Sequence, residues 1–286
     1  MTLRIAVLGN CQAPGLGQCL RRLSPGAAVT ALSWGEIDSA EQAERTARDL
    51  LDHDIILSQF TKNPAFGALR TDRLADKARR FVVWPKIVFT GFHPDLIEFG
   101  AVRSPLGPRH SGIILAAFLH GLPRNRVADL FNAYVYGRLG FFDEHAKAEH
   151  HLLEAARRTD IPLDAELPRW RELGVFVHVP NHPVVAALAS LADSICESLG
   201  LDRGPASAPP DDSLAQFSVW PVYPEIARRL GLPGSLSFKP PGADRAPIGL
   251  DEMIAASYAA YERTERRLLD IPRAAELAAV LASEGL

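Results

Sequence analysis

The sequence has 286 residues, of which 47% are hydrophobic and 23% are charged, enough to bury a sizeable core in one large domain or one and a half. A formal charge of −3 leaves no basic surface for nucleic acid, so nucleic-acid binding is not expected. Three cysteines without a C-x-x-C motif argue against a disulfide framework, and no apolar run approaches the roughly 20 residues of a membrane span. Because the N-terminus also lacks a signal-peptide pattern, we expect a cytoplasmic protein.

The first third of the chain alternates between strand-like and helix-like segments. Residues 3–8 are an apolar, β-branched run, and Pro14 opens a helix with a leucine stripe. Strands are then predicted at 28–33, 54–59 and 80–89, with helices at 39–52 and 65–77 between them. This alternation predicts a parallel sheet, and ligands bind beyond the carboxyl ends of such strands. Polar clusters at 10–12, 58–59 and 90–95 are expected at that edge.

From about residue 104 the pattern becomes helical. Ser111 is expected to cap a helix over 112–120 that Gly121 ends. A strand is predicted at 174–179, followed by Asn181-His182-Pro183 and an amphipathic helix over 185–199 that ends at Gly200. Further helices are predicted at 123–136, 143–158, 225–230, 250–269 and 273–282.

These segments predict the fold class and the domains. We expect an α/β fold, with a Rossmann-like parallel sheet in the N-terminal part and a largely helical C-terminal part. An α/β catalytic domain is expected over 1–200, with a helical insertion at about 104–170. Residues 201–286 are expected to form a helical extension packed on it. The oligomeric state cannot be read from the sequence.

Cys11 lies where the first predicted strand turns into the first helix. Unpaired amides and the helix dipole at such a position favour an anion and lower the pKa of a thiol, which suits a nucleophile. Asn10 and Gln12 carry amides that can donate to an oxyanion. The same turn can cradle phosphate, with Gly9 and Gly15 as candidate cofactor contacts. The alternative is that Cys11 only packs in the core, as we expect for Cys19 and Cys196.

A histidine near Cys11 would complete the pair that thiol catalysis needs. His182 is the first candidate base because it follows a predicted strand and precedes a helix. His93 is the second, with Asp95 as a group that can orient its ring. For both, the alternative is a histidine that only caps a turn.

Other polar residues are weaker candidates. His110 and Ser111 can contact an anionic ligand or merely cap a helix, and Ser58 and Gln59 can line a site or satisfy loop backbone. Arg103, Arg109 and Lys62 are candidate partners for phosphate. The run from His145 to His151 has no His-Glu-x-x-His order, so no metal is expected.

The order of these motifs resembles the WcbI-type polysaccharide biosynthesis family of acetyltransferases. The resemblance covers roughly residues 3–200 and rests on Gly9-Asn10-Cys11-Gln12, Ser58-Gln59, Gly91-Phe92-His93-Pro94-Asp95-Leu96, His110-Ser111 and Asn181-His182-Pro183. It implies binding of coenzyme A or acetyl-CoA, and acetyl transfer to a sugar of a capsule or other surface polysaccharide. It also implies a fold related to the SGNH hydrolases, with Cys11 in place of their serine.

One departure separates the chain from the SGNH pattern. Those enzymes carry an Asp three residues before the catalytic His, whereas Val179 stands three before His182. An acidic orienting group would have to come from elsewhere, and Asp95 is the candidate. In the mechanism we expect, Cys11 is activated by His182 or His93 and either takes the acetyl group or supports direct transfer, with Asn181 beside the site.

Two other functions fit the same residues. A thiol esterase or deacetylase of a glycan would use the same nucleophile with water as the acceptor. A non-catalytic module that binds coenzyme A or a nucleotide would need no base at all. The sequence does not separate transfer from hydrolysis, and it does not identify the sugar or the acyl group.

Overall fold

The computed structural model describes residues 2–205 and 208–285, and none of the helices in those ranges is both long and apolar enough to cross a bilayer. The strands in chain order are β1 (Leu3–Gly9), β2 (Ala27–Ser33), β3 (Ile55–Ser58), β4 (Phe81–Val83), β5 (Leu96–Glu98), β6 (Arg109–Ser111), β7 (Val177–Val179) and β8 (His182–Pro183). The α-helices are α1 (Gln12–Leu23), α2 (Ala40–Leu51), α3 (Thr71–Ala75), α4 (Gly112–His120), α5 (Ala133–Arg138), α6 (Glu144–Ala156), α7 (Glu166–Glu172), α8 (Val185–Leu199), α9 (Pro224–Leu230), α10 (Leu250–Glu262) and α11 (Pro272–Ser283).

The chain divides into two compact units, each assembled from separate stretches of sequence. Unit 1 comprises Met1–Val88, His150–Val177 and Asn181–Leu214. Unit 2 comprises Phe89–Glu149, His178–Pro180 and Ala215–Leu286. The division into a catalytic domain over 1–200 and an extension over 201–286 stays a prediction, because a compact unit need not be a folding domain.

Unit 1 is built on a parallel four-stranded sheet with the strand order β2-β1-β3-β4. The predicted α/β fold class, with a parallel sheet in the N-terminal part, is therefore confirmed. In the register of β1, Leu8 lies beside Ser58 of β3, and Gly9 lies beside Ser33 of β2. The residues that follow Gly9 and Ser58 consequently leave the sheet at the same carboxyl edge, where such folds bind ligands.

Both faces of this sheet are covered. Ala6 and Leu8 pack with Ile56 and with the apolar side of α2 in one core cluster. Ile5 and Val7, whose side chains point to the opposite face, are fully buried as well. Helix α1 packs against β2 and against α8. A central strand buried on both faces explains why residues 3–8 read as a continuous apolar run.

Unit 2 contains the antiparallel pair β5 and β6, together with a group of helices in which α4 packs against α10 and α11. The predicted caps of α4 are confirmed. The Ser111 hydroxyl accepts a hydrogen bond from the Ile114 amide over 3.1 Å, and Gly121 ends the helix with a left-handed φ of 80°. Ser111 thus serves the capping role that was the alternative to ligand binding.

Some predicted elements differ from the structure. The helix expected over 65–77 is broken at Gly67, whose φ of 49° interrupts a 3-10 segment before α3 begins. The helix expected from residue 250 to 269 ends at Glu262. Strands β5 and β6 were not predicted, because each spans only three residues and shows no alternation. The third polar cluster begins at Thr90, well past the end of β4 at Val83.

Candidate active site

Cys11 occupies the N-cap position of α1, directly after β1 and Asn10. Its side chain is half-buried, whereas Cys19 and Cys196 are buried. Burial raises the pKa of the Cys19 thiol to about 12 and also raises that of Cys196. Cys11 is therefore the cysteine that combines solvent access with a helix N-terminus, the environment in which thiols react.

A cluster of buried amides holds the turn around Cys11. Gln59 accepts a hydrogen bond from the Asn10 amide through its Oε1 over 2.9 Å and donates from Nε2 to Gln12 Oε1 over 3.3 Å. The Gln12 Oε1 also accepts from the Ile87 amide over 3.1 Å. The Gln12 Nε2 donates to the carbonyls of Ile87, over 2.7 Å, and Asn181, over 2.9 Å. The Gln12 side chain is fully buried, so this cluster fixes three chain segments around one side chain.

His182 lies in unit 1 together with Cys11. It begins β8, two residues before the N-cap of α8, and is 4% exposed. Its neighbour Asn181 is held through its carbonyl by Gln12, the residue after Cys11. The packing of α1 on α8 brings the first turns of both helices together, since a Cβ at Gly15 would lie 2.8 Å from Leu188. The residue after Cys11 is thus hydrogen-bonded to the residue before His182.

The expected oxyanion donors divide into two groups. Gln12 was expected to donate to an oxyanion, but its donors are already in use. Its Nε2 donates to the Ile87 and Asn181 carbonyls, and its main-chain amide donates to Asn10 Oδ1 over 3.0 Å. Ser58 is fully buried, and its hydroxyl donates a hydrogen bond to the Gln59 carbonyl over 2.9 Å. The side chains of Gln12 and Ser58 therefore stabilise the turn around Cys11. The Asn10 Nδ2 has no hydrogen-bond partner within residues 2–205 and 208–285. Asn10 therefore keeps a donor available at the turn.

An added Cβ would clash with a neighbouring element at Gly9 and Gly15, the two expected cofactor contacts, and also at Gly17 in α1, while ligand contact by Gly9 and Gly15 stays a prediction. A Cβ at Gly9 would lie 2.7 Å from the Trp84 ring, and one at Gly17 would lie 2.4 Å from the Cβ of Ala31. Gly15 faces Leu188 in the same way. Each glycine lets α1 or β1 approach a neighbouring element more closely than any side chain permits.

His93 lies in unit 2 and is 1% exposed. Burial lowers the pKa of its ring to about 3, against the weaker opposing effect of the Trp220 main chain. Neither ring nitrogen has a partner in hydrogen-bond geometry among the described residues. The ring is therefore neutral at pH 7 and is not oriented by a carboxylate.

Asp95 does not orient His93, contrary to expectation. Its carboxylate accepts hydrogen bonds from the Ser111 hydroxyl (2.5 Å), the Ile113 amide (2.7 Å) and the Tyr223 hydroxyl (2.6 Å). Burial raises the pKa of Asp95, and these donors oppose that rise. Asp95 thus ties β6 and α4 to Tyr223. Sequence reasoning missed Tyr223 because no spacing or motif marks it.

His110 and Arg109 are also engaged within unit 2. His110 is fully buried, with Nδ1 bonded to the Tyr261 hydroxyl over 2.9 Å and Nε2 to the Val102 carbonyl over 3.2 Å. Burial lowers its pKa to about 4. Arg109 donates to the Ser218 hydroxyl over 2.9 Å. The hydrogen bonds of His110 and Arg109 join segments within unit 2 and so stabilise the fold. To contact a ligand, the His110 ring would have to give up its bond to Tyr261 or to Val102.

The remaining candidates lie outside these clusters. Lys62 is exposed, with its ammonium 5.6 Å from the centre of the Phe60 ring, and Arg103 is exposed as well. His145 lies 3.8 Å from Glu149 on α6. Within residues 2–205 and 208–285, no three His, Cys, Asp or Glu side chains are grouped closely enough to hold a metal ion.

Comparison with known proteins identifies a family and a related structure. The model of the family described as polysaccharide biosynthesis enzyme WcbI matches residues 4–204. No curated protein matches the chain. The fold is similar to the solved structure of WcbI, described as a novel polysaccharide biosynthesis enzyme in its native form without a disulfide bond between coenzyme A and a cysteine. The similarity has a TM-score of 0.74 and 14% identity and covers 100% of this chain and 96% of that one, so it supports the fold.

Proposed function

The chain belongs to the WcbI family of polysaccharide biosynthesis enzymes, and on that premise we propose that it transfers an acetyl group from acetyl-CoA to a sugar hydroxyl during capsule biosynthesis. The observation that carries the proposal is the half-buried thiol of Cys11 at the N-cap of α1, beyond the carboxyl end of β1. The similar solved structure is described as native protein without a disulfide bond between coenzyme A and a cysteine, wording that pairs coenzyme A with a cysteine in that protein. An accessible thiol at a helix N-terminus suits both that disulfide and an acyl-enzyme.

His182 is the base in this proposal. It belongs to the same unit as Cys11, and Gln12, the residue after Cys11, donates a hydrogen bond to the carbonyl of Asn181, the residue before His182. His93 is the weaker candidate because a base with a pKa of about 3 is far from the pH at which it would have to accept a proton. A relationship to the SGNH hydrolases stays a prediction, as does an acidic partner for His182.

The proposed reaction has two steps. His182 takes the proton of Cys11, and the thiolate attacks the thioester carbonyl of acetyl-CoA, so that the carbon–sulfur bond to coenzyme A breaks and its thiol leaves with the proton from His182. The sugar hydroxyl then attacks the acetyl-Cys11 thioester while His182 takes the hydroxyl proton. The bond to Cys11 breaks, the thiol recovers the proton, and the acetylated sugar is released.

Asn10 supplies the oxyanion donor in both steps. Its Nδ2 is uncommitted within the described residues, and Gln59 and Gln12 hold its main-chain amide and its Oδ1. A donor fixed in this way needs no reorganisation when the carbonyl oxygen becomes negative, and a single such donor contributes about 3–4 kcal/mol to catalysis in other enzymes.

Two measurements on the purified protein test the proposal. The first is a calorimetric titration with coenzyme A, with ADP and acetate as control ligands, under reducing conditions. The second is turnover of acetyl-CoA with and without a panel of sugar acceptors, by wild type and by Cys11→Ala and Cys19→Ala. We expect micromolar coenzyme A binding, turnover that requires an acceptor, loss of turnover in Cys11→Ala and its retention in the control Cys19→Ala.

Other results would indicate another function. Full turnover by a folded Cys11→Ala variant excludes the nucleophile. Release of acetate from acetylated sugars, without transfer, indicates a thiol esterase. Coenzyme A binding without turnover on any acceptor, retained after replacement of His182, indicates a binding module.

A further inference from the structure

Unit 2 contains a cavity of about 330 Å³ beside the first turn of α6. That volume lies at the lower end of the range for pockets that bind small molecules. Leu96, Ile97 and Leu139 give it an apolar wall, and Thr90 and Glu144 give it a polar one. The Thr90 hydroxyl donates to the Glu144 carboxylate over 2.8 Å, which fixes the polar wall.

His93 also lines this cavity. It is nearly completely buried, and neither of its ring nitrogens is accessible to solvent in this structure. A ligand that occupied the cavity would therefore lie against the wall that contains His93, close to its ring.

Two cations flank the same cavity. Lys147 is exposed and has no ion-pair partner among the described residues. The Arg273 side chain is 46% exposed, and its one ion-pair partner among residues 2–205 and 208–285 is Glu276, itself 64% exposed, over 3.1 Å. A surface pair of this kind contributes little, so a bound anion can readily replace Glu276. The charged side chains that line the cavity are therefore two cations, Lys147 and Arg273, and one anion, Glu144.

We infer that this cavity binds a small hydroxylated anion, a sugar ring that carries a carboxylate or a phosphate. Lys147 and Arg273 would hold the anionic group, and Thr90 and Glu144 would bind hydroxyls. The apolar wall suits the C–H face of a sugar ring. This inference rests on unit 2 alone and does not depend on the proposed acetyl transfer.

Calorimetric titration of the whole protein with four probes tests it: glucuronate, glucose 6-phosphate, glucose and inorganic phosphate. We expect one of the two sugar anions to bind at least tenfold more tightly than glucose and than phosphate, and the preferred one identifies the anionic group. Lys147→Gln and Arg273→Gln should each weaken that binding about fivefold or more, because each removes one charged contact at an exposed position. Arg263→Gln removes an exposed arginine away from the cavity and should change nothing.

The ¹⁵N resonances of the His93 ring distinguish a ligand inside the cavity from an anion that binds only to Lys147 and Arg273 at its rim. In protein labelled with ¹⁵N-histidine, the preferred sugar anion should shift the His93 ring resonances, whereas inorganic phosphate should not. Equal binding of all four probes, unchanged binding in both cavity variants, or a silent His93 ring would overturn the inference. Because neither replaced side chain is buried, circular dichroism should show that both variants fold. Failure of the wild-type protein to bind coenzyme A would count against the proposed transfer and not against this inference.

Discussion

Gln12 Nε2 donates a hydrogen bond to the Asn181 carbonyl over 2.9 Å, joining residues 169 positions apart in the chain. One of these residues follows Cys11 and the other precedes His182. The thiol and the imidazole of the proposed site are therefore positioned through a side chain that takes no part in the chemistry. The predictions below begin with that side chain.

Replacing Gln12 by methionine should destabilise the fold and lower activity together. The change preserves length but leaves the Ile87 amide, two carbonyls and the Gln59 amide group without a partner in a buried site. We expect a loss of roughly 2–4 kcal/mol in the free energy of unfolding, measured by urea denaturation. The matched control is Gln18→Met on the same helix, which should cost less than about 0.5 kcal/mol. Equal losses in the two variants would contradict the role given to Gln12.

Gly17 should tolerate no side chain, because a Cβ there would lie 2.4 Å from the Cβ of Ala31. Gly17→Ala should lose about 1–3 kcal/mol by thermal or urea denaturation, despite the better helix propensity of alanine. Gly137→Ala in α5 is the comparison, since its nearest neighbour is Phe142 at 3.7 Å and the change should stabilise by up to about 1 kcal/mol. A Gly17→Ala variant as stable as wild type, but unable to bind coenzyme A, would instead indicate that Gly17 contacts the ligand.

Alkylation should distinguish the three cysteines. At pH 8 iodoacetamide should modify Cys11 in the folded protein and leave Cys19 and Cys196 unmodified, because burial shields both thiols and raises the pKa of each. Mass spectrometry of peptides taken over time measures the three rates. In denaturant all three should react alike, which is the control. Modification of Cys19 in the native state at the rate of Cys11 would refute the assignment of the accessible thiol.

The stability of the protein should fall as the solution becomes acidic below about pH 6.5. Burial lowers the pKa of His93 to about 3 and that of His110 to about 4, whereas both titrate near 6.5 in an unfolded chain. Between pH 6.5 and 4 the unfolded chain binds more protons, so each histidine lowers the free energy of unfolding by up to about 1.4 kcal/mol per pH unit on acidification. The contribution is fully present above pH 6.5.

Urea denaturation of wild type and His110→Gln at several pH values checks the sign and the slope. The variant should show a shallower pH dependence, by up to about 1.4 kcal/mol per unit, whatever its stability at pH 7. The raised pKa of Asp95 acts in the opposite direction in both proteins and cancels in the comparison. Parallel curves for the two proteins would mean that His110 is not a neutral buried ring.

Local pattern was sufficient to predict most of the elements. The apolar run of β1, the Ser111 cap with its Gly121 stop, and the helix that ends at Gly200 each follow from residues within one or two turns of each other. The pattern failed where a single backbone conformation breaks an element, as at Gly67 with its positive φ inside a predicted helix, and where a strand has only three residues, as in β5 and β6. The parallel sheet followed from the alternation of these elements, although its strand order did not.

By itself the sequence determined where Cys11 lies, at the junction of the first strand and the first helix, because that junction is set by neighbouring residues. Only the tertiary structure decided which polar residues can meet a ligand. Gln12, Asp95 and His110 look like site residues in the chain, but their side chains are bonded to partners 8 to 169 residues away. Hydrogen-bond saturation is a property of distant segments brought together, and no local spacing encodes it.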